Sequence, residues 1–169
     1  MNIEENLYEK TLVHFATLYL LLGVIERRLR QRIPITLREY GESFGQSIWW
    51  LVLPENPVQR VRIVRAIKKN NGILENFERF LTLRFWRDIF SGKCYRNLWR
   101  PALHRVFNGL PNSLDSQSYG KVVFHLNQAV EIRNRVAHYD ETNASSFDRE
   151  EELLLWLVNA LGSFNEKTS

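Results

Sequence analysis

Three side chains near the C-terminal end of the sequence, Arg133, Asn134 and His138, have the types and spacing to act on a phosphate. They stand in the stretch AVEIRNRVAHYDE, residues 129–141. An arginine fork matches two phosphate oxygens and keeps its charge. Imidazole exchanges protons near neutral pH, so His138 suits a general acid or base. Asn134 lies one helical turn before His138, and the two face together. Its amide can hold a phosphate oxygen or orient the imidazole.

The stretch reads as the end of an amphipathic helix. At about 100° per residue, Val122, Leu126, Ala129, Val130 and Ala137 all fall within about 60° of Arg133. Arg133 thus sits inside an apolar stripe. Asn127, Glu131, Asn134 and His138 form a separate polar stripe, roughly 100–160° round. A buried guanidinium is costly unless paired. The first helix offers a partner, Glu26, which has Leu12, Phe15, Tyr19, Leu22 and Ile33 within about 40° of it. The expectation is that the two helices pack and that Glu26 meets Arg133.

RNRVAH at 133–138 matches the R-N-x-x-x-H form of the Rx4-6H motif of the HEPN superfamily. Within it, the chain resembles the Abi-like (abortive infection) branch. VIERRLRQRI at 24–33 is similar to that branch's first-helix pattern. FWRDIFSGKCYRNLWRPALHRVF at 85–107 resembles its aromatic-rich middle, and EIRNRVAHYDE resembles its ending. The bare Rx4H spacing is common by chance, whereas three stretches in order are more specific. Two departures stand out. Tyr139 follows the motif histidine where the branch often has a second His. A related antitoxin-controlled group carries its tyrosine one place further on, where Asp140 stands here.

The resemblance implies an all-α, HEPN-type helical bundle, here one domain over residues 1–169, that forms a homodimer and brings two motifs into one cleft. It implies a metal-independent endoribonuclease acting through the ribose 2′-OH, without a cofactor, in phage defence, toxin–antitoxin pairs or stress responses. RNA is then the substrate, and an antitoxin or defence-system protein a further partner. Arg133, His138 and Asn134 are the expected catalytic set, with Glu26 holding Arg133. Arg135 points roughly opposite the apolar stripe and is expected at the surface, touching RNA. Tyr139 is a candidate for stacking on a base. The alternative is a non-catalytic HEPN module that binds RNA or nucleotide or serves as a scaffold.

Composition fits this frame. The 169 residues suit one domain with its own core, and 44% hydrophobic with 25% charged residues is an ordinary globular balance. One cysteine, Cys94, rules out an intrachain disulfide framework or a Cys-based zinc site, and points to a reducing cytoplasm. The net charge of +4 hints at a polyanionic partner, although solvated helix faces explain basic clusters as well. TLVHFATLYLLLGVI at 11–25 is too short for a membrane span and follows Glu4, Glu5 and Glu9, so it reads as one buried helix, with no membrane partner. Glycine-rich phosphate loops, His-Glu-x-x-His and nucleophile-elbow motifs are absent.

The elements that must position the candidate residues are helical almost throughout, since no segment alternates with period two. A first helix is expected over about 3–32, stopped near Pro34. TLRE at 36–39 reads as a capping box opening a second helix that reaches Trp49 and Trp50. A basic helix follows PENP and runs to about Lys69. One or two short helices end at Ser91–Gly92, and another lies around Pro101. Long helices cover about 119–138 and 147–164, the last with acidic residues in its first turn. His14, His104 and His125 have no partner spacing and read as structural or surface, and most of the five tryptophans as core.

Overall fold

The computed structural model describes residues 3–92, 95–138 and 147–162. Among them there is no strand, and the all-α class is as expected. Five α-helices carry the fold: α1 (Ile3–Glu42), α2 (Pro57–Lys69), α3 (Leu83–Ile89), α4 (Ser116–His138) and α5 (Phe147–Leu161). Short 3₁₀ turns at Trp49–Leu51, Phe77–Phe80 and Leu103–Phe107, and a π turn at Tyr95–Trp99, join them.

The spine is α1. Its 40 residues run without a break through Pro34, about 60 Å at 1.5 Å per residue. The expected stop at Pro34 is therefore corrected, and with it the capping box. Proline removes one intrahelical hydrogen bond, but Ile33, Pro34, Thr36 and Leu37 are all buried, and that packing carries the helix across the gap. Glu39 pairs instead with Arg105 at 3.2 Å, from the 3₁₀ turn after Ala102. Pro101 likewise separates the π turn from that 3₁₀ turn rather than kinking one helix.

The buried face of α1 is Phe15, Leu18, Leu22, Ile25, Leu29, Ile33 and Leu37, a three- and four-residue rhythm that packs on α4 and α5. It lies about 40° round from the stripe centred on Glu26. Tyr19 and Leu20 are consequently 70% and 68% exposed, so the apolar 11–25 run is not wholly buried.

The basic run RRLRQR is divided by the same geometry. Arg28 and Arg32, one turn apart, point inward to the end of α5. Arg28 donates to the Val158 carbonyl at 2.7 Å. Arg32 donates to the carbonyls of Leu161 and Val106 and to Asn108 Oδ1. Backbone N–H groups complete the set: Gly109 donates to Ala160, and Gly162, at φ 63°, donates to Asn159. A helix leaves its last four carbonyls without intrahelical partners, and here all four are met. A Cβ on Gly109 would collide with the Asn159 carbonyl, so glycine is needed for this approach. Burial and the neighbouring Arg28 both push the Arg32 guanidinium pKa down.

Aromatics fill the rest. Trp49 lies between Phe77 and Trp86, with its indole N–H donating to Glu78 at 3.0 Å. Phe90, Trp99, Phe107 and Tyr119 form a second cluster, and the Tyr119 hydroxyl donates to the Phe90 carbonyl. Trp49, Trp86 and Trp99 are core, while Trp50 and Trp156 are only partly buried. Asn56 caps α2, with Pro57 in its first turn, and Asp115 caps α4 by accepting from the Ser118 N–H. No helix among the described residues is long and apolar enough to cross a membrane.

Replacing Arg32 with Ala strips charged donors from carbonyls at the α5 end and is expected to cost about 2–3 kcal/mol. Arg27→Ala, one residue from Arg28 but facing outward, should cost under about 0.5 kcal/mol. Chemical denaturation of the two variants measures the contrast.

Candidate functional site

On the outward side of α1, Tyr19, Gly23, Glu26, Arg27 and Arg30 recur at helical spacing and face the last turns of α4. Together with Leu22, Arg133, Val136 and Ala137 they line a groove of about 430 Å³. The groove follows from where the two core faces lie. Near its C-terminal end α4 buries Ile132 and Val136, while Arg133 and Ala137 stay exposed. Its core face therefore turns away from Arg133 there, just as that of α1 turns away from Glu26. Each charge that a regular wheel places in mid-stripe stands at a stripe's edge, and the two edges border one groove.

Arg133 is thus exposed rather than buried, and the expected ion pair with Glu26 is not formed. Glu26 accepts instead from Arg30, 2.6 Å away and one turn on. The groove holds three cations and one carboxylate, and Arg27 and Arg133 have no acidic partner among the described residues. Two guanidinium groups unengaged by carboxylates, in a concave site, suit an oxyanion such as phosphate.

Asn134 and His138 are both exposed on the next face of α4, about 100° and 140° round from Arg133, and neither lines the groove. His138 is the last residue of the helix, where a cation is also favoured by the dipole. The fold thus brings Glu26 and Arg133 to one groove. It keeps Asn134 and His138 on the adjacent surface of the same helix end.

Arg135, expected at the surface, is mostly buried. It forms an ion pair with Glu150 of α5, the two side chains being 16% and 10% exposed. The polar side of α4 is not free at this point because α5 packs against it. Tyr139 lies outside the described residues, as do Cys94 and the sequence following Tyr139 up to residue 146.

Arg27 and Arg30 are groove residues that the sequence did not single out, and Tyr19 was placed beside Glu26 only as part of an apolar stripe. Their spacing relative to Glu26 was a readable signal; that α4 would end opposite them was not. The remaining histidines are structural. His14 stacks on Phe147, and His104 Nδ1 lies 3.0 Å from the Trp99 carbonyl. His125 stacks on Trp156 at 3.9 Å between ring centroids, and burial pushes its pKa down. Among the described residues no three of His, Cys, Asp and Glu come together as a metal-binding group.

Comparison with known proteins leaves this reading on the residues themselves: no family model, curated protein or solved structure matches the chain.

The two arginines should separate cleanly in stability. Arg135→Ala removes the cation from a buried carboxylate and is expected to lower stability by about 3 kcal/mol. Arg133→Ala should change it by under about 0.5 kcal/mol. Similar thermal melting of both variants would contradict this assignment of inside and outside.

Proposed function

We propose that the chain is a metal-independent RNA endonuclease of HEPN type that works as a homodimer. The observation that carries this reading is the RNRVAH sequence at the exposed end of α4, whose arginine lines a groove with Arg27 and Arg30. In this scheme the groove cations bind the scissile phosphate, and Asn134 holds a phosphate oxygen or orients His138. One His138 takes the proton of the ribose 2′-OH as the oxygen attacks the adjacent phosphorus. The bond from phosphorus to the 5′-oxygen breaks, and a second imidazole gives that oxygen a proton. The products are a 2′,3′-cyclic phosphate and a free 5′-OH. Each chain has one such histidine, so the second imidazole comes from a second copy.

The surface beside the groove supports pairing of two copies. A neighbouring apolar groove of about 630 Å³ runs along α1, lined by residues that include Leu12, Phe15, Tyr19 and Leu20 and closed by Val136 and Ala137. Exposed leucine and tyrosine in one continuous patch are unusual for a surface that stays in water. A dimer joined there sets two α4 ends close together. The biological setting we propose, phage defence or a toxin–antitoxin pair with an antitoxin or defence-system partner, rests on the resemblance alone.

A second reading is favoured by one observation: His138 and Asn134 do not line the groove that holds Arg133. A module that binds RNA or nucleotide without cutting would need the groove but not the histidine.

The test is incubation of purified protein with mixed RNA in EDTA. Wild type should yield cyclic-phosphate ends, with His138→Ala and Arg133→Ala each reduced at least about 100-fold, the usual worth of a general acid–base group for the first and of a charge-stabilising group for the second. Tight binding without cleavage supports the second reading, and equal cleavage by all three proteins overturns the first. Leu20→Glu should shift the protein to monomer in analytical ultracentrifugation and abolish cleavage while leaving its helical content intact.

A further inference from the structure

The charge of this chain is unevenly placed. Residues 57–107 hold 12 of the 23 Lys and Arg but only 3 of the 19 Asp and Glu, so this stretch carries +9 and the rest −5. The overall excess that hints at a polyanionic partner therefore lies away from the α1–α4 groove. Its densest part is α2, PVQRVRIVRAIKK, with five cations and no acidic residue.

The outward face of α2 is well defined. Gln59, Ile63 and Ala66 are buried. Val58, Val61, Arg62, Lys68 and Lys69 all fall within about 60° of Arg65 on the opposite side. Of these, Arg62 is committed to Asp88 at 2.5 Å. Arg65, Lys68 and Lys69 are exposed and have no acidic partner among the described residues. Lys68 and Lys69 in the last turn are favoured by the helix dipole, but Arg65 is a turn further back and is not explained that way. Beyond the helix end, Arg79 is fixed by donating to Asn70 Oδ1 at 2.8 Å and adds another exposed cation. The contrast with α1 is direct. There Arg28 and Arg32 are used on carbonyls and Arg30 on a carboxylate.

We propose that the α2 face is a second binding surface, separate from the groove, that holds the phosphate backbone of a nucleic acid strand. Three unengaged cations on two turns of one helix, with no anion among them, match a chain of evenly spaced phosphates. Val58, Val61 and the shallow hollow they form with Pro57 and Arg65 give apolar contact between the charges. A membrane surface fits less well. Helices that lie in the headgroup boundary bury Trp, Phe or Leu, and α2 presents only valines. This inference stands whether or not the groove is catalytic.

The probe is a fluorescein-labelled single-stranded DNA 20-mer, which carries the phosphates but lacks the 2′-OH and so is not a substrate for the proposed cleavage. Fluorescence anisotropy compares wild type with Arg65→Gln/Lys68→Gln/Lys69→Gln. A control, Arg38→Gln/Lys121→Gln/Arg149→Gln, loses the same charge from exposed positions elsewhere. The α2 variant should bind at least about tenfold more weakly, and its slope of log affinity against log salt should fall by about 2, near 0.7 for each phosphate no longer neutralised. The control should change by less than threefold, and Arg65→Gln alone should already weaken binding. Circular dichroism confirms that each variant is folded. Equal losses in both triple variants, no loss in the α2 variant, or no binding by wild type would overturn the proposal. So would an α2-dependent affinity for phosphatidylserine vesicles without affinity for the oligonucleotide.

Discussion

The free carbonyl end of α5 is the constraint on which the rest of the structure turns. Four unsatisfied carbonyls cannot be left in a packed interior, and each is met from a different source. Arg28 and Arg32 reach from α1, Gly109 approaches from the loop before α4, and Gly162 turns back on its own helix. The arginine contacts fix the rotation of α1 about its axis. With Arg28 and Arg32 held inward, Leu29 and Ile33 fall into the core, Arg27 faces out, and Arg30 lies half-buried at the groove, paired with Glu26.

That rotation creates the candidate groove. Had α1 presented Glu26 to the core, Glu26 would have needed a buried cation. Instead the core face is turned about 40° away, and Glu26 is satisfied locally by Arg30. Arg133 stands at the corresponding edge of α4. The positive character of the groove is thus a by-product of how two amphipathic helices meet at their margins, and it leaves guanidinium groups near water where a phosphate can reach them. Arg135 shows the opposite solution on the same helix: its charge is buried, and α5 supplies Glu150 to meet it.

Three basic clusters consequently have three different fates. One is used on helix carbonyls, one borders the groove, and one, on α2, is left facing solvent. Composition alone treats them as equal contributors to a net charge of +4. Only the first has a structural reason complete within the chain, so the other two are where an external anion is best sought.

Much of this was legible in the sequence because periodicity is local. The helical class, a basic helix after PENP reaching Lys69, the short elements around Trp86, and α4 ending at His138 follow from spacing and breaks that lie within a few residues of one another. The pairing of Glu26 with Arg133, the stop at Pro34 and the surface position of Arg135 failed for one shared reason. Each depends on which neighbour covers a given side of a helix, and a helical wheel contains no neighbour. Pro34 is carried because buried side chains on both sides of it outweigh one lost hydrogen bond. Arg135 is buried because α5 lies against it and supplies Glu150. The sequence by itself determined the helical class and most of the helices, and named the Arg133–Asn134–His138 set. Only the tertiary structure decided which charges are satisfied inside and which face water, because burial belongs to pairs of elements rather than to either one.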